Sequence, residues 1–167
     1  MGIADPELDV AVAAMVAEDA RFVVVGGFSV IANRFVRATE DIDLLVPDDP
    51  ENDQRVLSAL RRLEGVRFRD DEPLRVEHLV DQTHLRAKTS AGVIDIMRGG
   101  LPPLDFKTVE ERAMPADYGG VAFLVAGLSS IVGFKRLANR PRDRNDLIGL
   151  AEIHGELPVE PIPGLDT

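Results

Sequence analysis

Hydrophobic and polar positions along this chain repeat with two different periods, and the switches between them lay out its elements. Leu8 to Ala20 carries apolar residues at helical spacing behind Asp5-Pro6, an aspartate cap followed by proline at the first helical position. Phe22–Val25 is a short apolar run with the character of a buried strand, and Gly26-Gly27 turns it into a second helical segment, Ser29 to Phe35. At Asp41–Val46 the period drops to two: Asp41 and Asp43 fall on one face, Ile42, Leu44 and Val46 on the other. Asp49-Pro50 repeats the helix-start signal. Val56, Leu57, Leu60 and Leu63 form the stripe of a third helix, with Gly65 where a glycine cap belongs.

Residues 66–98 read as four β pieces, Val66–Phe68, Arg75–Val80, His84–Thr89 and Val93–Met97, the last two joined at Ala91-Gly92. Residues 105–114 predict a short helix and Val121–Val125 a final strand. Ser129 to Asn139 predicts a helix stopped by Pro141, and Asp143 to Ile153 another, with Asp143 as its cap. The expected fold is α/β (α+β), a small mixed sheet flanked by helices with further helices at the C-terminus. Residues 1–155 are expected to form one domain, and 156–167 a proline-rich, loose extension.

Composition changes this picture little. The balance of 45% hydrophobic and 29% charged residues is that of a globular protein. No cysteine is present, which removes disulfides and thiolate metal sites. The acidic N-terminus lacks a basic leader region, and no apolar run nears the roughly 18 residues of a membrane span, so a cytoplasmic address without membrane contact is expected. A net charge of −10 argues against a general nucleic-acid coat. Residues 135–144, KRLANRPRDR, nevertheless hold five basic residues against one acid, either a contact for RNA or a solvated helix end.

The candidate chemistry centres on Asp41 and Asp43. Carboxylates two apart on a strand share a face at about 6–7 Å between Cα atoms, a spacing that suits a divalent cation pair of the kind used in phosphoryl and nucleotidyl displacement. Asp95 interrupts the apolar run Val93–Met97, where an unpaired carboxylate is costly; a shared metal would satisfy it, and it is also placed to accept a proton. Gly26 and Gly27 permit close approach of backbone to a phosphate. Ser29 either binds a phosphate oxygen or caps the helix that follows. Arg37 and Thr39 continue the alternation onto the carboxylate face, to contact phosphate or orient an aspartate. Lys135 is a candidate for the β- and γ-phosphates, with a surface lysine as the plain alternative. Asp146 either belongs to a capping box started by Asp143 or has a function. His78, His84 and His154 show no ligand spacing. The chain lacks a Walker-type phosphate loop and a nucleophile elbow.

The run GGFS, a short helix, then RATEDIDLLV, with a later acid in VIDIM, resembles the minimal nucleotidyltransferase of the DNA polymerase β superfamily. The segment LSSIVGFKRLANRPRDRNDLIGL is similar to the closing element of its AbiEii/MenT-like branch, which includes toxins of toxin–antitoxin systems. The resemblance spans residues 20–155 and implies a nucleotidyltransferase fold. It also implies Mg²⁺ (or Mn²⁺) on Asp41, Asp43 and Asp95, with Asp95 as base. Gly27 and Ser29 would lie at the phosphates of an NTP such as ATP, Lys135 would hold the triphosphate, and Asp146 would be a functional acid. Toxin-like enzymes often have Gly-Ser directly, whereas Phe28 intervenes here. The implied reaction moves an NMP to a hydroxyl of RNA (such as tRNA), protein or a small molecule, and a cognate antitoxin is the implied partner. The alternative from another class is a non-catalytic member that binds a nucleotide or partner in the same cleft.

Overall fold

The computed structural model describes residues 2–166. Its strands are β1 (Val23–Val25), β2 (Asp41–Val46), β3 (Val66–Arg67), β4 (His84–Thr89), β5 (Gly92–Arg98), β6 (Met114–Tyr118) and β7 (Val121–Val125). They form one mixed sheet in the order β3-β4-β5-β2-β1-β7-β6. β2 runs parallel to β5 and antiparallel to β1, and β1 runs parallel to β7. The helices are α1 (Leu8–Ala17), α2 (Gly26–Ala32), α3 (Pro50–Arg62), α4 (Val76–Val80), α5 (Phe106–Glu111), α6 (Leu128–Ala138) and α7 (Pro141–His154). Among the described residues no helix is long and apolar enough to cross a membrane.

Strand alternation divides the interior into two layers. Ile42, Leu44 and Val46 of β2 and Ile94 and Ile96 of β5 join Leu8, Val12 and Met15 of α1 and Val56, Leu57 and Leu60 of α3 on one face. The opposite face packs Val23, Val25 and Leu45 against Val30 of α2, Ile131 of α6 and Leu150 of α7. Asp41, Asp43 and Asp95 occupy β positions of this second parity, so the helices after β1 and β7 roof the carboxylates.

Several elements depart from the sequence expectation. α1 is capped by Glu7, not Asp5, because Glu7 N donates to Ala91 O (2.9 Å) and holds the Asp5-Pro6 segment against the β4–β5 turn. α2 begins at Gly26 instead of Ser29: with φ +66°, Gly26 turns the chain out of β1 and straight into the helix, and Arg34 (φ +81°) ends it before Phe35. After α3 the left-handed position is taken by Glu64 (φ +57°). Gly65 serves a close approach instead, since a Cβ there would lie 2.7 Å from Leu60 O. Arg75–Val80 is helical from Val76, its start fixed by Arg75 N donating to His78 Nδ1 (3.2 Å), so no strand forms there. Met114–Tyr118 is an unforeseen strand at the sheet edge, where Pro115 costs no ladder bond to a further neighbour. Asp143 stands three residues past the cap of α7, which is Arg140; its carboxylate accepts from the Arg140 backbone N–H.

Residues 156–166 are tied down at three points, and Thr167 lies outside the described residues. Ile162 is buried, Glu160 pairs with Arg112, and Asp166 pairs with Arg136.

Candidate active site

The two parallel strands β2 and β5 are paired in a register that sets Asp43 opposite Asp95 and Asp41 opposite Val93. Each of the three aspartates thereby offers a carboxylate oxygen within 4.8 Å of the other two. Three negative charges that close repel each other strongly in a partly dry site. Burial first, and then the Asp41 and Asp95 charges, push Asp43 up to about 7, against the opposing pull of Lys135 and Arg142. Asp95 is buried, and its Oδ2 accepts from Arg86 Nη1 at 2.7 Å, while its Oδ1 faces His84 Nε2 at 3.2 Å, a contact that raises the His84 pKa. Arg86 Nη1 also lies 3.4 Å from Asp41 Oδ2. A buried carboxylate inside a cluster of three acids, one oxygen from each within 4.8 Å of the others, fits a divalent metal site.

Gly26 abuts this cluster so closely that a Cβ would fall 1.9 Å from Asp43 Oδ2. Gly27 is backed by Thr39 and Arg37: a Cβ there would lie 2.5 Å from Thr39 Oγ1 and 3.2 Å from Arg37 Nη1. Thr39 Oγ1 donates to Asp41 O (3.1 Å) and so steadies the start of β2. Ser29 is buried within α2 and donates to Gly26 O at 2.5 Å, which makes it neither a cap nor a free hydroxyl in this state. Gly26, Ser29, Asp43, Phe134, Lys135 and Arg140 line a small cavity of about 150 Å³.

Lys135 is no surface lysine. Its Nζ sits 3.1 Å from Asp143 Oδ1 and 2.8 Å from Asp146 Oδ2, and the side chain is 7% exposed. Arg37 grips Asp146 with two parallel bonds, Nε to Oδ1 (2.7 Å) and Nη2 to Oδ2 (2.8 Å). Burial raises Asp146, but Arg37 and Lys135 outweigh it and hold the acid below its ordinary value. Burial opposes ionisation of Asp143 too, yet Arg140 and Lys135 bring it down to about 2. Asp146 is therefore an ionised partner of Lys135 and Arg37 and not a cap. The aspartate that Arg37 orients is Asp146, outside the three-acid cluster.

Sequence spacing brings out neither Arg86, His84 nor the Asp143–Arg140 pair. The only signal for Arg86 is the alternation of HLRAKT, which places His84, Arg86 and Lys88 on one face of β4; its contact with Asp95 depends on the β4–β5 register.

Comparison with known proteins decides the family. A model described as "Nucleotidyltransferase of unknown function (DUF6036)" matches residues 7–159. The chain belongs to this nucleotidyltransferase family. No curated protein matches it. Among solved structures, the DUF6036 chain is similar to ANT(2")-Ia in complex with adenylyl-2"-tobramycin, with a TM-score of 0.61 and 15% identity over 89% of this chain and 87% of that one. A solution structure of the antibiotic-resistance factor ANT(2'')-Ia gives a TM-score of 0.63 at 13% identity, over 89% and 82% of the two chains. An antigenic nucleotidyltransferase-like protein from Paracoccidioides brasiliensis gives 0.52 at 14% identity, over 90% and 79%. At these identities the likeness concerns the fold, and the fold is that of a nucleotidyltransferase.

Proposed function

We propose that this protein moves an NMP from an NTP, ATP among them, to an acceptor hydroxyl in a Mg²⁺-dependent reaction, with release of pyrophosphate. The observation that carries this reading is the convergence of Asp41, Asp43 and Asp95, one carboxylate oxygen from each within 4.8 Å, against the backbone of Gly26. These three aspartates would hold Mg²⁺ (or Mn²⁺), which supplies positive charge for an in-line displacement at the α-phosphorus.

The remaining roles belong to the chain itself. The acceptor oxygen forms its bond to the α-phosphorus as the bond to the pyrophosphate oxygen breaks. Asp95 takes the hydroxyl proton on its carboxylate, beside the Arg86 that holds Oδ2. Gly26 and Gly27 let the triphosphate approach the backbone beside Asp43, with Ser29 below them. Lys135 offsets charge on the departing pyrophosphate, and Asp146 and Arg37 fix its position, with Thr39 steadying the β2 entry.

The ANT(2")-Ia complex with adenylyl-2"-tobramycin supports a nucleotide–acceptor product on this fold. The likeness of residues 128–150 to the toxin branch supports a finer reading, a cytoplasmic toxin that acts on a hydroxyl of RNA, protein or a small molecule and is restrained by a cognate antitoxin. Incubation with Mg²⁺, each α-labelled NTP in turn and candidate acceptors tests the reading: label is expected on one acceptor class. Absence of transfer to every acceptor, with nucleotide still bound, would favour a binding protein.

A further inference from the structure

On the far side of Asp95 from the Lys135 cavity lies a second cleft, of about 480 Å³, between α4 and the β3–β4 end of the sheet. Its walls carry Arg67, Arg69, Arg75 and Arg86, together with His78 and His84, against two acids, Glu77 and Asp81. Arg67 is held by Asp70 and Glu72 and forms part of the wall. Arg69 and Arg75 are different. They are 77% and 63% exposed, and their acidic neighbours, Asp70 and Glu77, stand 3.9 Å off in each case. Arg86 lies 4.5 Å above the Phe68 ring and reaches Asp95, so the cleft ends where the three-acid cluster begins.

A cluster of arginines alone says little; His78 adds an independent observation. It is 8% exposed, and its Nδ1 accepts the Arg75 backbone N–H at 3.2 Å. That bond fixes the neutral ring's hydrogen on Nε2. Nε2 is buried and has no hydrogen-bond partner among the described residues. A buried donor without an acceptor is costly, and a ligand oxygen carrying negative charge would satisfy it. Burial first, and then Arg67 and Arg75, lower the His78 pKa, which keeps the ring in the neutral form that this geometry describes.

We infer that this cleft is the acceptor side of the site and that it takes a hydroxyl compound bearing a phosphate ester. The ester is held by His78 Nε2–H, Arg69 and Arg75, with the hydroxyl directed past Arg86 to Asp95. The inference rests on the nucleotidyl-transfer reading for the word acceptor, and its anion site stands without it. About 480 Å³ accommodates one nucleotide-sized unit. Electrostatic complementarity then selects against polycationic acceptors.

The test is a titration of the full-length protein, without NTP or metal, with ribose 5-phosphate, ribose and tobramycin, followed through the histidine ring signals in NMR. The chain has three histidines, and His154 is distant from the cleft, its Nε2 bound at 2.7 Å to Asn33 O. Ribose 5-phosphate is expected to shift the His78 signals saturably, at least about 10-fold more tightly than ribose, with no shift from tobramycin; Arg75→Gln and Arg69→Gln, both at exposed positions, each weaken it by about 10-fold. An RNA trinucleotide with a free 3′-hydroxyl is the second phosphate source: binding tighter than the sugar phosphate assigns the ester to a strand end, weaker binding to a free metabolite. Equal binding of ribose and ribose 5-phosphate, shifts absent at His78, or unaltered binding in both arginine variants would overturn the inference. Because catalysis is not read, a dead enzyme with an intact cleft, or the reverse, is recognised as such.

Discussion

Asp43 on β2 and Asp95 on β5 stand directly opposite one another in parallel strands, two acids in register at the middle of a sheet. Like charges so placed destabilise a strand pair. The sheet tolerates them because Arg86 from the next strand reaches Asp95 and because Asp43 has its pKa raised to about 7.

That shift has a definite pH signature. In the metal-free protein the folded pKa of Asp43 exceeds its ordinary value of 3.8, so the native state holds the extra proton between about pH 4 and 7. Its contribution to stability is present below about pH 4 and is lost as pH rises through about 7. A divalent ion requires the carboxylate, so apparent Mg²⁺ affinity climbs with pH up to about 7 and then levels off. Calorimetry in buffers of different ionisation enthalpy is expected to show proton release at about pH 6 that vanishes by about pH 8.5. Affinity independent of pH over that range would refute the assignment.

Gly26→Ala is predicted to be severe at a position with no side chain to lose. The new Cβ would collide with Asp43 at 1.9 Å, and φ +66° is unfavourable for alanine. Backbone strain of this kind costs about 1–3 kcal/mol, before the displacement of Asp43 is counted. The variant should show a lowered midpoint in denaturant and lose Mg²⁺ binding in the fraction that folds. Wild-type Mg²⁺ affinity in Gly26→Ala would show that the contact does not hold Asp43 in place.

Lys135→Met removes a cation that two buried acids share. Arg37 still holds Asp146 and Arg140 still holds Asp143, so the loss is expected near the lower end of the usual range for breaking a buried pair, about 3 kcal/mol. Adding Asp143→Asn should recover part of this stability without recovering nucleotidyl transfer, because a fully buried acid that Lys135 neutralised is gone and the Arg140 side chain it releases is 60% exposed. Thermal unfolding read beside activity separates the two effects. Recovery of activity in the double variant would show that Lys135 acts only as a structural counter-ion.

Much of this arrangement is legible in the sequence, for a physical reason: both halves of the three-acid cluster are written as strand alternation, DIDLLV and VIDIM, and alternation survives folding. What escapes is whatever depends on register or on short ambiguous segments. RVEHLV has six residues, too few for period alone to separate strand from helix; a side-chain-to-backbone bond at His78 and burial of Leu79 settle it as α4. The edge strand Met114–Tyr118 contains a proline and shows little alternation, and only its pairing with β7 defines it. Arg86 reaches Asp95 through cross-strand pairing, and Arg37 reaches Asp146 across 109 positions, neither of which local pattern encodes. The C-terminal prolines suggest a free tail, yet Ile162 finds a buried seat.

The most direct measurement follows parallel reactions with Mg²⁺ and an NTP labelled at either the α- or the γ-phosphate, for the wild type and for Asp43→Asn. The account predicts α-label on the acceptor and γ-label in pyrophosphate, both abolished by chelation and reduced at least about 100-fold in Asp43→Asn, the scale of losing a preorganised charge at the reacting centre. Transfer of the γ-label to the acceptor, or equal α-transfer by the variant, would contradict nucleotidyl transfer at Asp41, Asp43 and Asp95.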